Sequence, residues 1–459
     1  MFNRKSITLT KEANSDCKLT PSLSWYHLMA LGVGAIVGTG ILTLIGIGAD
    51  KAGPAVIVSF VIAGIICCCA ALAYAEMATL IPVAGGAYTY SYVIIGEAIA
   101  WMVGWSLILE YSLVVSAVAV GWSGYAGPLL HDWLGVPMNW MQSPTLGGLI
   151  NLPAIGIITV IAGLLMIGTQ ESASINSLLV VFKLVALLVF VALAGQQFNA
   201  EHLEPFMPFG FAKTISADGI ERGVMVAAAI IFFAFYGFDA IATAAEETHH
   251  PDRDLAIGIV GSMLICVVIY IAVAVSALGA LAYTHFAGSS EPLALILREL
   301  GQPVAARFLA ASAVIALPTV ILAFFYGQSR IFFAMARDGL LPKWLAKLSS
   351  RGTPTRTTLF TALVVGVIAG FFPLAEIAAL ANAGTLAAFV AVSVCLFLSR
   401  LREPDAKRPF RAPMPWLTGS IAIVGCIYLF FSLPQQTQWY FLLWNSLGLL
   451  IYFGLARSA

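Results

Sequence analysis

The sequence predicts an all-α membrane protein with twelve transmembrane helices, and three observations support this fold class. Hydrophobic residues make up 60% of the 459-residue chain and charged residues only 10%, whereas soluble globular proteins carry roughly 25% charged residues. Lys plus Arg equals Asp plus Glu at 23 each, which argues against nucleic acid as a partner. The apolar residues lie in continuous runs of about 20, the length that a helix needs to cross a ~30 Å hydrocarbon core.

The apolar runs predict twelve spans joined by short connections. A transmembrane β-barrel would show alternating segments of ~10 residues instead, and no connection reaches the ~50 residues of a small soluble domain. We therefore expect a polar segment at 1–24, which does not have the pattern of a signal peptide, and a single transmembrane domain at 25–457. The predicted spans are 25–48, 54–80, 98–127, 152–169, 176–196, 223–246, 255–282, 305–336, 357–373, 374–399, 416–433 and 439–457.

The distribution of Lys and Arg predicts the orientation of the chain in the membrane. An even number of spans places both termini on one side, and 17 of the 23 Lys and Arg residues fall on that side. Because cytoplasmic connections carry an excess of cationic residues, we expect a multi-pass protein of the cytoplasmic (inner or plasma) membrane with both termini in the cytoplasm.

Spans 1 and 6 contain residues that favour an interruption of the helix. In span 1, four glycines lie between Gly32 and Gly40, and two of them flank a hydroxyl in Gly38-Thr39-Gly40. Close packing through small residues accounts for such a pattern, and so does local unwinding that exposes backbone groups to a cavity; both interpretations stay open. In span 6, Asp239 follows Gly237 within an apolar run, and an ionisable residue at membrane depth indicates a functional site.

The positions of these two spans predict an internal repeat. Five spans precede span 6, which therefore runs in the direction opposite to span 1. Two inverted halves of five helices, each opening with an interrupted helix, bind a ligand where the interruptions meet. The halves would cover about 25–197 and 222–400, with two extra helices at about 416–457. Half-helix N-termini favour an anionic group and exposed carbonyls a cationic one, so the predicted ligand carries both a carboxylate and an ammonium.

Five stretches of the chain, in order, are similar to the amino acid–polyamine–organocation (APC) superfamily, and within it to bacterial transporters resembling the cationic amino acid transporter family. The resemblance implies a LeuT-like inverted-repeat fold and transport of an L-amino acid by alternating access. Mammalian relatives have fourteen spans, so twelve spans imply a prokaryotic member. The similar stretches are Gly32–Ile41, Ile81–Tyr90, Gly104–Tyr111, Gly237–Ala240 continuing to Glu246-Glu247, and Gly327–Pro342.

The resemblance also implies the ligand contacts. The ligand carboxylate would meet backbone N–H groups at the interruption of span 1, chiefly those of Thr39 and Gly40. The ligand amine would meet the backbone carbonyls of Ile36 in span 1 and of residues in span 6, and three side chains would complete the pocket. The implied substrate-binding residues are Ile36, Gly38, Thr39, Gly40, Glu110, Phe233, Tyr236, Asp239 and Tyr270.

Three ionisable residues lie inside predicted spans: Glu110, Lys183 and Asp239. At 1.5 Å per residue each lies roughly 12–18 Å from the inner membrane boundary, which suggests one polar site. Desolvation favours the neutral form of a buried lysine, so Lys183 is the predicted proton-coupling residue, and in related transporters a lysine here takes the place of a sodium ion. The alternative is a structural pairing with a carboxylate or with carbonyls of span 1.

The roles of the acidic residues stay open at this stage. Glu110 and Asp239 either contact a cationic ligand side chain or anchor neighbouring helices. Glu76, near the cytoplasmic end of span 2, is interpreted as a packing or gate residue. Glu246 and Glu247 lie at the cytoplasmic mouth and either form an inner gate with Arg330 or a solvated rim, the latter being favoured.

The sequence as a whole predicts a transporter and not an enzyme. No P-loop, Ser–His–Asp or His-Glu-x-x-His pattern occurs, and no cofactor or metal is expected. The predicted partners are an L-amino acid, protons and membrane lipid, with an accompanying small membrane subunit left open. Import with a proton is the preferred mechanism; amino acid or polyamine exchange, a non-transporting sensor and a channel are the alternatives. The sequence does not identify the amino acid.

Overall fold

The computed structural model describes residues 23–83, 85–167, 173–216, 218–245, 248–342 and 355–456, and most of these residues are helical. A helix coincides with every predicted span. In the first half of the chain the helices are α1 (Trp25–Ile36), α2 (Thr39–Leu42), α3 (Leu44–Ala52), α4 (Val56–Leu80), α5 (Gly86–Ile94), α6 (Glu97–Leu134), α7 (Leu152–Ile167) and α8 (Ala173–Gly195).

The second half continues in the same way. Its helices are α9 (Val224–Ile231), α10 (Asp239–Thr243), α11 (Pro251–Ala280), α12 (Pro292–Glu299), α13 (Pro303–Arg337), α14 (Thr355–Phe371), α15 (Leu374–Arg402), α16 (Pro415–Ser432) and α17 (Gln435–Ala456).

Within the described ranges, eight helical stretches are long and apolar enough to cross a membrane. Three shorter apolar helices, α1, α7 and α14, fall on predicted spans 1, 4 and 9. In lipid every backbone polar group must be satisfied within the protein, and long apolar helices achieve this. The eight stretches are Leu44–Leu80, Glu97–Leu134, Asn176–Gly195, Val224–Thr243, Pro251–Ala280, Pro303–Phe325, Leu374–Arg402 and Pro415–Ser432.

The ends of the long helices follow from local sequence. Helix α11 begins with Pro251, whose fixed φ suits the first turn, and its first turn carries Asp252 and Asp254 beside the positive helix end. Helix α6 ends at Gly135, which adopts a left-handed φ of 65° and caps the last carbonyls. These signals account for the extension of α6 beyond the predicted span.

The packing of the helices puts the interrupted segments in the centre. Helix α6 packs along α13 and α15, and α11 packs along α4 and α1. The short helices α2 and α10 lie inside this arrangement, and every described residue of α9 is buried. Two interrupted helices are therefore surrounded by long continuous ones.

On the face that the charge distribution predicts as external, a strand pair connects α8 to α9. Strands β1 (Thr214–Ile215) and β2 (Glu221–Arg222) are antiparallel, and the Gly223 amide donates to the Lys51 carbonyl at 2.9 Å. A hydrogen bond from Arg222 lowers the pKa of Asp218 in the exposed turn. The connection is thereby attached to the end of α3.

Candidate functional site between the interrupted helices

The first interruption follows α1. Helix α1 ends at Ile36, Val37 and Gly38 are not helical, and α2 begins at Thr39. A second irregular residue, Thr43, separates α2 from α3. The structure thus contains unwinding at the glycine-rich motif, but of the predicted stretch 38–40 only Gly38 is non-helical, together with Val37 before it, while Thr39 and Gly40 begin α2.

The second interruption separates α9 from α10. A single 3₁₀ turn at Phe232–Ala234 follows α9, and α10 begins at Asp239. Gly237 lies between them with a φ of 117°, a conformation that residues with a Cβ rarely adopt. The glycine that follows the aromatic residues of span 6 is therefore required by the backbone itself.

The two interruptions touch each other through glycines. A Cβ added to Gly40 would lie 2.3 Å from the Cα of Ala234, and one added to Gly237 would lie 3.0 Å from the carbonyl carbon of Ala35. Each glycine thus allows one interrupted backbone to pack directly on the other. The unwinding and the close packing, alternatives in the sequence, are both present.

Two side chains bind the carbonyls at the end of α1. The ammonium of Lys183, only 3% exposed, donates to the carbonyls of Gly34 at 2.9 Å and Val37 at 3.1 Å. The Tyr270 hydroxyl donates to the Ile36 carbonyl at 2.7 Å. A cation at a helix C-terminus interacts favourably with the partial negative charge there, so Lys183 stabilises the unwound conformation.

The carboxylate of Asp239 lies at a helix N-terminus, that of α10. It accepts hydrogen bonds from the Tyr111 hydroxyl and from the Gly237 amide, both at 3.1 Å, and it stands in the first turn of α10, where the helix dipole favours a negative charge. These contacts connect α6 with the interruption of the sixth span. Asp239 thus positions the backbone at Gly237.

Glu110 lies close to Asp239, but its carboxylate lacks the hydrogen bonds that Asp239 makes. Its side chain is 1% exposed, and neither carboxylate oxygen has a well-formed hydrogen bond among the described residues, although the Thr385 hydroxyl lies close enough to interact with the carboxylate. The two carboxyl groups are near enough to interact electrostatically. A buried polar group without a partner costs about 1–3 kcal/mol, so Glu110 is a candidate for contact with a ligand or a proton.

Further polar groups around the interruptions have no partner within the described part of the chain. They include the Thr39 hydroxyl and the Tyr236 hydroxyl. The amides of Thr39 and Gly40, at the start of α2, donate to no backbone carbonyl of the described residues, as expected at a helix N-terminus. Such groups can bind an anion, and buried polar atoms of this kind mark positions where a ligand or water completes the bonding.

The described side chains at the site are buried. Phe233, Tyr236 and Asp239 are each exposed by 5% or less, and the rings of Phe233 and Tyr236 contact each other at 4.8 Å between centroids. Phe324 of α13 lies 6.2 Å from the Tyr236 ring. These side chains are therefore shielded from solvent, and the Tyr236 ring contacts the rings of Phe233 and Phe324.

The sequence also singled out Glu76 and a predicted inner gate as charged positions. Glu76 is fully buried and pairs with Arg400 at 2.6 Å and Arg408 at 3.2 Å, which favours packing among its two interpretations. The predicted inner gate lies outside the described residues, because Glu246 and Glu247, and the side chain of Arg330, are not described.

Sequence reasoning missed two residues at the site. The Tyr111 hydroxyl bonds Asp239, and a Cβ on Gly121 would lie 2.2 Å from the Cγ2 of Thr39. Tyr111 directly follows Glu110, but consecutive helical residues point in different directions, so the sequence gives no signal that Tyr111 reaches Asp239. Nothing in the sequence indicates which helix faces Thr39.

Comparison with known proteins identifies the family. The model of the amino acid permease family matches residues 23–455. This chain belongs to that family. The branched-chain amino acid permease BcaP of Bacillus subtilis (strain 168) is 40% identical over all of this chain and 98% of its own length. The methylthioribose transporter of the same organism is 37% identical with the same coverage. The vacuolar cationic amino acid transporter 4 of Arabidopsis thaliana is 33% identical over 84% of this chain and 64% of its own length.

These relatives confirm the resemblance to the APC superfamily. An amino acid permease is a transporter rather than an enzyme, and the apolar helices agree with a multi-pass membrane protein. The matched range contains both interrupted helices, so the described site lies inside the family's domain.

Proposed function

We propose that this permease imports an L-amino acid across the cytoplasmic membrane by alternating access, in symport with a proton. We further propose twelve spans in two inverted halves of five, with both termini in the cytoplasm. The observation that carries the proposal is the contact between the two interruptions. At these interruptions the α2 amides and the buried hydroxyls of Thr39 and Tyr236 have no hydrogen-bond partner among the described residues.

A zwitterion suits the groups at this site. The amides of Thr39 and Gly40 belong to the positive end of α2 and favour a carboxylate. The Ile36 carbonyl lies at the C-terminal end of α1, and those of Phe233 and Tyr236 lie in the interruption of span 6; such carbonyls favour an ammonium. A carbonyl oxygen has two lone pairs, so the bond from Tyr270 leaves the Ile36 carbonyl able to accept a second donor.

Lys183 is the proposed coupling residue because it bonds to the part of the chain that has to move. Its ammonium donates hydrogen bonds to the carbonyls of Gly34 and Val37. The nitrogen carries a positive charge only while it is protonated. Loss of that charge weakens the attraction to the C-terminus of α1. Protonation of Lys183 would thereby favour the arrangement in which α1 is fixed.

The test is uptake by proteoliposomes under an imposed pH gradient. Wild type is expected to accumulate amino acid when the outside is acidic. Lys183→Ala is expected to lose accumulation while keeping counterflow of labelled substrate. Lys183→Arg is expected to give the same result, because an arginine does not deprotonate in proteins. Lys51→Ala, whose ammonium bonds only the surface carboxylate of Asp50 among the residues described, is the matched control.

The outcomes separate the alternatives. Unchanged accumulation by Lys183→Ala overturns the coupling role. Counterflow without accumulation in the wild type indicates exchange, and ligand binding without counterflow indicates a sensor. Unitary currents would indicate a channel.

The substrate is sought with a thermal-shift panel. A ligand at 100 times its Kd stabilises the native state by about 2.7 kcal/mol. The panel contains branched-chain, small neutral and cationic amino acids. It also contains methylthioribose, because one of the full-length relatives bears that substrate in its name. Stabilisation by methylthioribose and by no amino acid would replace the amino acid in the proposal.

A further inference from the structure

A cavity of about 460 Å³ lies on the side of the helix bundle, between α6, α15 and α17. Its walls are stripes at helical spacing, with Ile99, Met102 and Ser106 on α6, Ala387 and Ala391 on α15, and Phe441 on α17. Residues three, four or seven apart share a helix face, and the small alanines of α15 provide the depth. We call this cavity the lateral groove.

The lateral groove has the length and the polarity of a lipid acyl chain. Its lining runs on α6 from Ile99 to Ser106 and begins just before α6 at Ile95. The eleven steps from Ile95 to Ser106 at 1.5 Å each give about 16 Å, close to half of a ~30 Å hydrocarbon core. At its deep end the Ser106 hydroxyl bonds the side chain of Asn445 at 3.2 Å, so these polar groups are directed at each other.

One end of the lateral groove carries a cation. Arg402, the last residue of α15, is exposed and donates to the carbonyl of Ile94 at 2.8 Å, one residue from Ile95 in the lining. Glu97, the acidic residue nearest in sequence to Ile95, accepts from the Tyr452 hydroxyl at 3.0 Å, and Glu403, which directly follows Arg402, is exposed to solvent. A guanidinium at the rim of an apolar groove is complementary to a phosphate above an acyl chain.

We propose that the lateral groove is a phospholipid site, in which one acyl chain fills the groove and an anionic headgroup binds Arg402. The chain would end beside the transport site. A Cβ on Gly384 would lie 3.1 Å from the Ser106 carbonyl oxygen and 3.3 Å from the Cβ of Glu110. The deep end is therefore one helical turn from Glu110, and the bound chain supports the contact of α6 with α15.

Native mass spectrometry of the detergent-purified chain tests this site without any transport assay. The protein is first reconstituted into vesicles of phosphatidylglycerol and phosphatidylethanolamine and then extracted into detergent. The lipid molecules that stay bound to each protein are counted. Wild type is expected to retain one phosphatidylglycerol. Ala391→Trp fills the groove and is expected to lose it, while Leu363→Trp, at a residue 68% exposed on α14, is the matched control.

The headgroup is tested separately. Arg402→Gln is expected to lower the preference for phosphatidylglycerol over phosphatidylethanolamine about fivefold, which corresponds to about 1 kcal/mol for one cation at an anionic surface. Arg356→Gln, an exposed cation on α14, is expected to leave the preference unchanged.

Equal retention of phosphatidylglycerol by Ala391→Trp and Leu363→Trp overturns the proposal, because the retained lipid would then belong to the general lipid shell around the protein and not to the groove. A fall in the dimer fraction of Ala391→Trp, with no loss of lipid, would also overturn it and assign the groove to a second copy of the chain. Each variant is accepted for comparison when it elutes as a single species with wild-type helicity, so misfolding is not mistaken for loss of the site.

Discussion

The contact between Gly40 and Ala234 gives the sharpest prediction about the site. Gly40→Ala places a Cβ 2.3 Å from the Cα of Ala234, and a backbone atom cannot rotate away as a flexible side chain can. Overpacking of this kind lowers the free energy of unfolding by about 1–3 kcal/mol. We expect Gly40→Ala to lie at the upper end of this range. Gly38→Ala is the matched control, because its Cβ would meet no atom nearer than 3.7 Å.

The expected result is a difference in melting temperature. About 2.1 cal/mol/K per residue gives a chain of 459 residues an unfolding entropy of about 1 kcal/mol/K, so each kcal/mol lowers Tm by about 1 °C. Gly40→Ala should lower Tm by about 3 °C and abolish the further shift caused by the ligand. Gly38→Ala should retain the Tm of wild type, because its Cβ meets no close atom.

The assay is intrinsic fluorescence during heating in detergent, with and without the ligand identified in the panel. A Gly40→Ala protein with the Tm and the ligand shift of wild type would refute the reasoning, because the two interruptions could then not be in contact. Loss of the ligand shift in Gly38→Ala as well would attribute the effect to the motif in general.

Three further variants test individual bonds. Glu76→Ala leaves Arg400 without its buried partner, and the free energy of unfolding should fall by about 3–5 kcal/mol, measured as the largest Tm decrease of the set. Tyr111→Phe removes a donor to Asp239 and should cost about 1.5–3 kcal/mol; an unchanged Tm would contradict that bond. Thr39→Val should raise Tm by about 1–3 °C, since it removes a buried hydroxyl that has no partner among the described residues. It should weaken ligand binding about two- to tenfold by titration, the worth of one hydrogen bond at about 0.5–1.5 kcal/mol.

Much of the helical layout was predictable from the sequence because the bilayer imposes it. A helix must be apolar over about 20 residues to span the core, and this constraint is local. The interruption at Gly237 was equally predictable, since an acidic residue just after a glycine in an apolar run indicates a functional position inside the membrane. The exact start of the first interruption was not, because Val37 becomes non-helical only through contacts made by other spans.

The contacts within the site depend on which helices become neighbours. Lys183, on α8, was expected at the same depth as Glu110 and Asp239, and depth follows from residue counting. Its bonds to Gly34 and Val37 follow from the packing of α8 against α1, which residue counting does not give. The sequence allowed either the carbonyls of span 1 or a carboxylate as its partner and could not choose between them.

The bonds made by Lys183 and Tyr270 bear on how the permease would change state. Between them they hold three carbonyls at the C-terminal end of α1, those of Gly34, Ile36 and Val37. A ligand ammonium that bonds Ile36 therefore acts on a helix end already fixed by a titratable cation. Because ligand and proton would both stabilise this same helix end, each would favour binding of the other, as reciprocal linkage requires. Coupling by a single lysine thus needs no direct contact between Lys183 and the substrate.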